Sequence, residues 1–169
     1  MTPVKKHSSI SRRNFVRDAG MVGAGFFIVP RHVLGRGFIA PSDKLNIAGI
    51  GVGGKGQSDL FEFVKSPKVN IVALCDVDDR QAKKARETYT KAPYYRDFRE
   101  MLAKEKNNID AVSISTPDHT HAIATLSAMQ LGKHVYTQKP LTHNIYEARI
   151  LAQAEKKYKE ETQMGDQGG

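Results

Sequence analysis

A lysine and a proline follow an apolar run in the segment HVYTQKP, residues 134–140. The run predicts a strand buried on both faces, and lysine is among the side chains that are most costly to bury. Proline fixes its own φ and biases the preceding residue toward an extended backbone, so Pro140 would aim the Lys139 side chain. Lys139 is therefore a candidate for ligand contact. The alternative is a surface lysine whose ammonium group extends into water.

The stretch GIGVGGKG places Gly51, Gly53 and Gly56 in G-x-G-x-x-G spacing, with Gly54 between them. This spacing follows an apolar strand, opens a helix and precedes a second strand that ends in Asp76. We expect Gly51 to permit a tight turn, Gly53 to let the backbone approach a pyrophosphate, and Gly56 to let helix and strand pack closely. The helix N-terminus supplies N–H groups for phosphates. All four glycines are therefore predicted to bind a dinucleotide.

An acid at the end of the second strand indicates which dinucleotide is preferred. Asp76 can accept both ribose hydroxyls, whereas its charge would repel a 2′-phosphate, so NAD is favoured over NADP. Arg80 keeps NADP as the second choice, because an arginine four residues beyond the acid could pair with that phosphate. The alternative to a cofactor site is a glycine-rich turn with a surface aspartate.

The elements that must position these residues alternate regularly from Lys44 onward. Runs rich in Val, Ile and Ala predict buried parallel strands, and the polar stretches between them have helical period. The alternation predicts one doubly wound, mostly parallel α/β domain of the Rossmann type over residues 41–169. The predicted strands are LNIAGIG, VNIVALCD, IDAVSIST and HVYTQ, and the predicted helices are GKGQSDLFEFVK, DRQAKKARETYT, RDFREMLAKEK, DHTHAIATLSAMQLG and a last one capped by Asn144 and Glu147.

The charge and the cysteine content exclude two classes of protein. The chain holds 26 basic and 18 acidic residues, of which residues 1–40 hold seven and one, leaving 19 and 17 for a nearly neutral domain. We therefore expect no nucleic-acid partner. Cys75 is the sole cysteine of the sequence, so no intramolecular disulfide can form. It lies in an apolar run, which predicts a small buried hydrophobic residue and not a reactive thiol.

The first 40 residues predict a leader. The segment SRRNFV, with Arg12, Arg13 and Phe15, resembles the twin-arginine export signal, and a ten-residue apolar run follows it. That run is too short to span a bilayer as an ordinary helix. We expect export to the periplasm, with a retained membrane tether as the alternative because no clean cleavage site follows. An ordinary basic N-terminus is the other interpretation.

The glycine loop, Asp76 and the segment STPDHTHAIATLSAMQLGKHVYTQKPLTH resemble the N-terminal half of the Gfo/Idh/MocA oxidoreductases. The resemblance covers roughly residues 44–169 and implies a nicotinamide cofactor that takes hydride from a sugar or cyclitol carbon. By the match to the family's Glu-Lys-Pro motif, Lys139 is the candidate catalytic residue and also lies beside the cofactor. Thr116, Pro117 and His121 match a T-P-x-x-x-H segment that lines the nicotinamide side of the site.

The sequence departs from the family at one motif position, where Gln138 replaces the usual glutamate. Glutamine keeps hydrogen-bonding capacity but loses a charge that would favour a protonated neighbouring lysine. We interpret it as a subfamily trait and keep Gln138 among the cofactor-binding residues.

The histidines do not predict a metal site. His119 and His121 are two residues apart at a helix start, so they cannot share one helical face. His121 is the site candidate, while His119 and His134 are expected at the surface. His143 is a weak candidate because it follows Lys139 by four positions.

Three functions stay open at this stage. The first is the cofactor half of a sugar or cyclitol oxidoreductase, inactive alone because the resemblance places a substrate domain after about residue 165. The second is part of an NAD-assisted glycoside hydrolase, which oxidises a sugar transiently and returns the hydride. The third is a non-catalytic NAD-binding module. The face that would contact a second domain could also favour a homo-oligomer.

Overall fold

The structure is a computed structural model, and it describes residues 43–165. The predicted leader, with Arg12 and Arg13, and residues 166–169 lie outside the described residues. Within residues 43–165, no helix is both long and apolar enough to cross a membrane.

Six parallel strands form one sheet in the order β3-β2-β1-β4-β5-β6. The four predicted strands are confirmed, and the doubly wound parallel fold is confirmed with them. Two short edge strands, β3 and β6, were not predicted. The strands are β1 Leu45–Ile50, β2 Val69–Cys75, β3 Tyr94–Tyr95, β4 Ala111–Ile114, β5 His134–Gln138 and β6 Thr162–Gly165.

Five α-helices connect the strands, as the alternating sequence pattern predicted. The helices α2, α3 and α5 begin after an Asp or Asn whose side chain accepts a backbone N–H of the first turn. No side chain caps α1, which begins directly after the glycine loop. The helices are α1 Gly54–Phe63, α2 Asp79–Thr88, α3 Phe98–Lys104, α4 His121–Gln130 and α5 Ile145–Tyr158, and a short 3₁₀ turn, Asp118–Thr120, precedes α4.

The sheet has an apolar core on each face. One core packs α1 and α2 against β1 and β2, around Leu60 and Leu74. The other packs α3, α4 and α5 against the opposite face, around Met101, Ile114 and Met129. Helices on both faces leave the strand ends as the exposed rims of the sheet, so a ligand must bind at a rim.

The strand order fixes which rim that is. β1 lies at the centre of the sheet, with β2 on one side and β4 on the other. The chain leaves β1 and β4 toward opposite ends of the sheet order, which makes their carboxyl ends the switch point where doubly wound folds bind ligands.

Candidate functional site

A cleft of about 670 Å³ lies at the carboxyl ends of the central strands. Its size is in the range of small-molecule sites. The loops that follow β1, β2 and β4 all contribute to its walls. The predicted site residues that line it are Gly51, Gly53, Gly54, Asp76, Thr116 and Pro117; residues that the sequence did not single out include Gln81, Arg96, Arg99, Ser115, Thr120 and Ile123.

Two of the glycines have the geometry that was expected of them. Gly51 has φ 75°, a conformation that side-chain-bearing residues rarely adopt, and a Cβ there would lie 2.8 Å from Cγ2 of Thr116. At Gly56, a Cβ would overlap the carbonyl oxygen of Gly51. The first glycine therefore makes the turn, and the third lets α1 start against the end of β1.

The sequence predicted that Gly53 lets the backbone approach a pyrophosphate, but in the structure the open space lies at Gly54. A Cβ on Gly53 would lie 2.6 Å from Cβ of Gln81, so the absence of a side chain at Gly53 is required by packing against α2. Gly54 has φ 48°, is exposed, and has no atom within 4 Å of its Cβ position. An approaching phosphate therefore meets the backbone most freely at Gly54, at the uncapped start of α1.

Asp76 is fixed in the cleft by the glycine loop itself. Its Oδ2 accepts the N–H groups of Val52 and Gly53 at 2.9 and 3.0 Å, and its Oδ1 accepts the N–H of Asp78 at 3.0 Å. Each carboxylate oxygen can accept more than one hydrogen bond, so the group can also receive ribose hydroxyls. The acid at the end of β2 thus stands where the NAD prediction needs it.

The arginines near Asp76 are held by neighbouring acids. Arg80 donates from Nε and Nη2 to Asp78 at 3.1 and 3.0 Å, and it does not line the cleft. Arg96 lines the cleft and forms an ion pair with Asp79. Hydrogen bonds from these arginines lower the pKa of Asp78 and of Asp79 below the ordinary value of 3.8. Arg80 is therefore engaged away from the ribose site.

Cys75 ends β2 beneath the cleft and is 3% exposed. Burial, followed by the charge of the adjacent Asp76, raises the pKa of the Cys75 thiol to about 12. The buried cysteine that the sequence predicted is confirmed. A thiol with a raised pKa stays protonated at neutral pH and is a poor nucleophile.

The loop after β4 forms the wall opposite Asp76. Thr116 and Pro117 line the cleft, and the Thr120 hydroxyl donates to the Thr116 hydroxyl at 2.7 Å. His119 also lines the cleft, although the sequence analysis gave it no role beyond the surface, and its side chain is exposed.

His121 lies behind this wall and is 1% exposed. Its Nδ1 lies 2.6 Å from the carbonyl oxygen of Pro140, and its Nε2 lies 2.7 Å from that of Thr116. In the described structure His121 therefore connects the loop after β4 to the loop after β5, and does not itself line the cleft. It is a positioning residue for Thr116 and for the Lys139-Pro140 segment.

Gln138 is also buried, at 5% exposure, and its partner is a second buried side chain. The Gln138 amide donates from Nε2 to the Asp59 carboxylate at 3.0 and 3.2 Å, while its Oε1 accepts the backbone N–H of Lys139 at 3.2 Å. Asp59, on α1, also accepts the Ser115 hydroxyl at 2.7 Å. Gln138 therefore acts from below the rim, on the backbone of the neighbouring lysine.

Lys139 emerges at the rim as an exposed residue. Among the described residues no partner holds its ammonium group, and the side chain is not part of the cleft lining. Residues 43–165 do not form a site around Lys139 that is shielded from water. The backbone is fixed on both sides, by Gln138 and by Pro140, while the side chain is solvated.

Asp59 is a buried, charged side chain of this region that the sequence did not single out. On α1 it shares one face with Gly56, Leu60 and Phe63, at helical spacing, and it is the charged member of that set. A carboxylate within an otherwise apolar or small-residue face was the available signal, because such a group must have buried partners.

Within residues 43–165, no group of three or more His, Cys, Asp or Glu side chains is placed to hold a metal ion.

His143 lies at the rim, where its Nδ1 is 3.2 Å from Oδ2 of Asp118. This contact lowers the pKa of Asp118.

Fold and cleft together define a dinucleotide-binding Rossmann domain. Residues 45–165 match the Gfo/Idh/MocA family, described as "Oxidoreductase family, NAD-binding Rossmann fold". The chain belongs to this family.

Two curated relatives are similar over most of the chain. A glycosyl hydrolase family 109 protein of Shewanella sp. (strain W3-18-1) is 30% identical over 89% of this chain and 38% of the relative. An alpha-N-acetylgalactosaminidase of Shewanella oneidensis has the same identity and the same coverage. The chain therefore spans little more than a third of the length of these relatives.

Solved structures share the fold over a similar part of their length. Myo-inositol 2-dehydrogenase from Lactobacillus plantarum is 31% identical, with a TM-score of 0.67 over 72% of this chain and 36% of that one. The WlbA dehydrogenase from Bordetella pertussis, solved with NADH and UDP-GlcNAcA, is 20% identical, with a TM-score of 0.66 over 72% and 37%.

The described residues fit NAD, the cofactor of this fold. The glycine loop and the start of α1 would hold the phosphates, with open space at Gly54. The Asp76 carboxylate would accept the ribose hydroxyls, and the loop of Thr116 and Pro117 forms the opposite wall of the cleft. These groups are accessible without a rearrangement, because Gly54, Asp76, Thr116 and Pro117 already line the cleft.

Proposed function

We propose that this chain is the NAD-binding part of an oxidoreductase that acts on a hydroxyl-bearing carbon of a sugar or cyclitol. The observation that carries the proposal is the position of Lys139, at the end of β5 on the same rim as the cofactor cleft. When bound, NAD accepts the hydride. Lys139 then has the chemistry to hydrogen-bond the substrate hydroxyl and to take part in moving its proton.

Two further contacts support this role for Lys139. Gln138 accepts the Lys139 backbone N–H, and His121 contacts the carbonyl of Pro140 at 2.6 Å. A lysine with no fixed role would not need buried side chains on both sides of it. The alternative remains a surface lysine that contacts no ligand.

The test compares Lys139→Ala with the parent in protein purified from its own cells, supplied with NAD and a panel of sugars, cyclitols and glycosides. Turnover should fall by roughly 100- to 10,000-fold, the range for a lost acid–base group. The dissociation constant of NAD should stay within about twofold, and the melting temperature should be unchanged because the side chain is exposed. Full turnover of Lys139→Ala would remove the lysine from the mechanism.

A second function is favoured by the names of the curated relatives. A glycosyl hydrolase family 109 protein and an alpha-N-acetylgalactosaminidase are both 30% identical to this chain. We therefore also propose a glycosidase that oxidises its sugar transiently and returns the hydride. Release of the aglycone without net NADH distinguishes it from a dehydrogenase, which accumulates NADH at 340 nm. Binding of NAD without either reaction indicates a non-catalytic module.

We further propose export by the twin-arginine route, on the basis of Arg12, Arg13 and Phe15 in the sequence. This route favours proteins that bind their cofactor before they leave the cytoplasm. Comparing the cellular location of the parent with that of an Arg12→Lys/Arg13→Lys variant tests it, and an unchanged location would contradict it.

A further inference from the structure

The carboxylate of Asp59 is buried between the glycine-loop helix and two strand ends. The residue is 1% exposed, and α1 carries it toward the ends of β4 and β5. Its oxygens receive the Ser115 hydroxyl at 2.7 Å and the Gln138 amide at 3.0 Å. Lys55, one turn earlier in α1, forms an ion pair with it at 3.1 Å. Each of these three groups is a donor, and the carboxylate oxygens of Asp59 accept from them.

Gln138 needs both ends of its side-chain amide. A carboxylate can only accept, so the Gln138 Nε2 must face Asp59, and a backbone N–H can only donate, so Oε1 must face Lys139. A glutamate at this position could satisfy Lys139 but would bring a second negative charge within about 3 Å of Asp59. Like charges at that separation are strongly unfavourable in a buried site.

The side chain of Gln138 has little room to leave this arrangement. Gln138 pairs with Gly165 of β6, and a Cβ on Gly165 would lie 3.1 Å from Nε2 of Gln138 and 2.5 Å from the Tyr136 hydroxyl. The edge strand therefore lies directly against the amide of Gln138.

We propose that Asp59 is a positioning residue: it orients Gln138, and through Gln138 it fixes the backbone of Lys139 relative to the glycine-loop helix. The carboxylate stands on α1 and the amide on β5, which accounts for glutamine at a position where the family resemblance led us to expect glutamate. The assignment rests on the proposed function, because it takes Lys139 as the residue that contacts the substrate.

A double-mutant cycle in the 169-residue chain tests the pairing. Gln138→Glu places two carboxylates together and should lower the melting temperature by roughly 8 °C, and Asp59→Asn should lower it by roughly 4 °C. The double variant Asp59→Asn/Gln138→Glu restores one carboxylate and one amide with their positions exchanged. It should melt within about 3 °C of the parent, well above the sum of the two single losses.

A matched control lies on the same helix. Glu62 forms an exposed ion pair with Lys65 at 2.7 Å, so Glu62→Gln should shift the melting temperature by less than about 2 °C. If the double variant loses as much as the two single variants together, the pairing is wrong. A double variant that fails to fold while both single variants fold has the same meaning.

Hydrogen exchange tests the positioning role separately from stability. In Asp59→Asn the Lys139 amide should exchange roughly tenfold faster relative to the core amide of Ala48, and the double variant should restore its protection. An unchanged ratio in Asp59→Asn would overturn the positioning role even if the melting temperatures agree. Titration with NAD and assay of turnover are read independently, so their failure contradicts the proposed function and leaves standing only the pairing of Asp59 with Gln138 and its effect on the Lys139 backbone.

Discussion

The two ends of the cleft rim differ in how completely their side chains are held. At the end of β2, the Asp76 carboxylate accepts three backbone N–H groups and already lines the cleft. At the end of β5, the backbone of Lys139 is held by Gln138, but the lysine side chain is exposed and lies outside the cleft lining. Hydrogen bonds thus fix the carboxylate oxygens at the cofactor end, whereas at the lysine end they fix only the backbone.

This difference follows from what each end has to do. A ribose hydroxyl needs an acceptor in a fixed place, and hydrogen bonds within the protein can fix a short aspartate. A lysine that handles a proton needs to reach a substrate, and a long side chain loses its reach when it is held by an ion pair. Asp59 links the glycine-loop helix to the lysine end, because it lies on α1 and its carboxylate accepts the amide of Gln138, the residue before Lys139.

Removing the charge at the cofactor end should have the largest effect on cofactor binding. Asp76→Asn should raise the dissociation constant of NAD by roughly 10- to 100-fold, because charge-assisted hydrogen bonds contribute about 1.5–3 kcal/mol. The preference for NAD over NADP should shrink as well, since the repulsion of a 2′-phosphate is lost. Isothermal titration with both dinucleotides measures the two effects.

The control for Asp76 is an acid at the opposite rim. Asp110 also accepts a backbone N–H, that of Asn46 at 2.8 Å, but it lies before β4, away from the cleft. Asp110→Asn should lower stability without changing the NAD dissociation constant. Equal losses of affinity in the two variants would mean that Asp76 acts through the fold and not on the ribose.

Two adjacent glycines should separate packing from ligand access. Gly53→Ala forces a methyl group against Gln81 and should cost about 1–3 kcal/mol of unfolding free energy. The methyl group of Gly54→Ala meets no other atom, so its cost of about 1–2 kcal/mol of unfolding free energy comes from the positive φ alone. For the same loss of stability, Gly54→Ala should weaken NAD binding more than Gly53→Ala does. Chemical denaturation measures the loss of stability of both variants, and NAD titration measures their loss of affinity. A larger loss of affinity relative to stability in Gly53→Ala would mean that the phosphate approaches the backbone at Gly53.

The smallest expected effect is the loss of exposed ion pairs in acid. Hydrogen bonds hold the pKa of Asp79 below 3.8, so the folded state favours the ionised carboxylate. The resulting stability is fully present above pH 3.8 and is lost as the pH falls through the lowered pKa. The melting temperature of the parent should therefore decline below about pH 4. The decline should be slightly smaller in Asp79→Asn, because that variant has no Asp79–Arg96 ion pair that acid could break. Identical pH profiles for parent and variant would exclude a contribution from this pair.

The sequence was sufficient for the central part of the fold. Long buried strands leave continuous apolar runs, and these four runs became β1, β2, β4 and β5. The edge strands left no such signal: Tyr94–Tyr95 has two residues, and the first three residues of Thr162–Gly165 are exposed. Their pairing depends on the neighbouring strand and not on a pattern of their own.

Site residues were predictable from the sequence where the local backbone conformation requires a particular residue type. They were less predictable where a contact with a distant residue determines the residue type. The turn at Gly51 and the close contact at Gly56 follow from spacing alone, because only glycine fits them. The contact of Gly53 with Gln81 joins residues that are far apart in the sequence. The same holds for Gln138 and Asp59, which are 79 residues apart, and for the position of His121 behind the wall. Such contacts exist only after the sheet has formed.

The two edge strands of the described sheet are short, β3 with two residues and β6 with four. An edge strand exposes backbone donors and acceptors that a foreign strand can pair with, and the hazard grows with its length. With a short strand at each edge, the sheet offers little template for recruiting other chains. Lengthening β6 with a β-branched, uncharged segment would extend that template. The sheets of two chains would then be able to pair edge to edge.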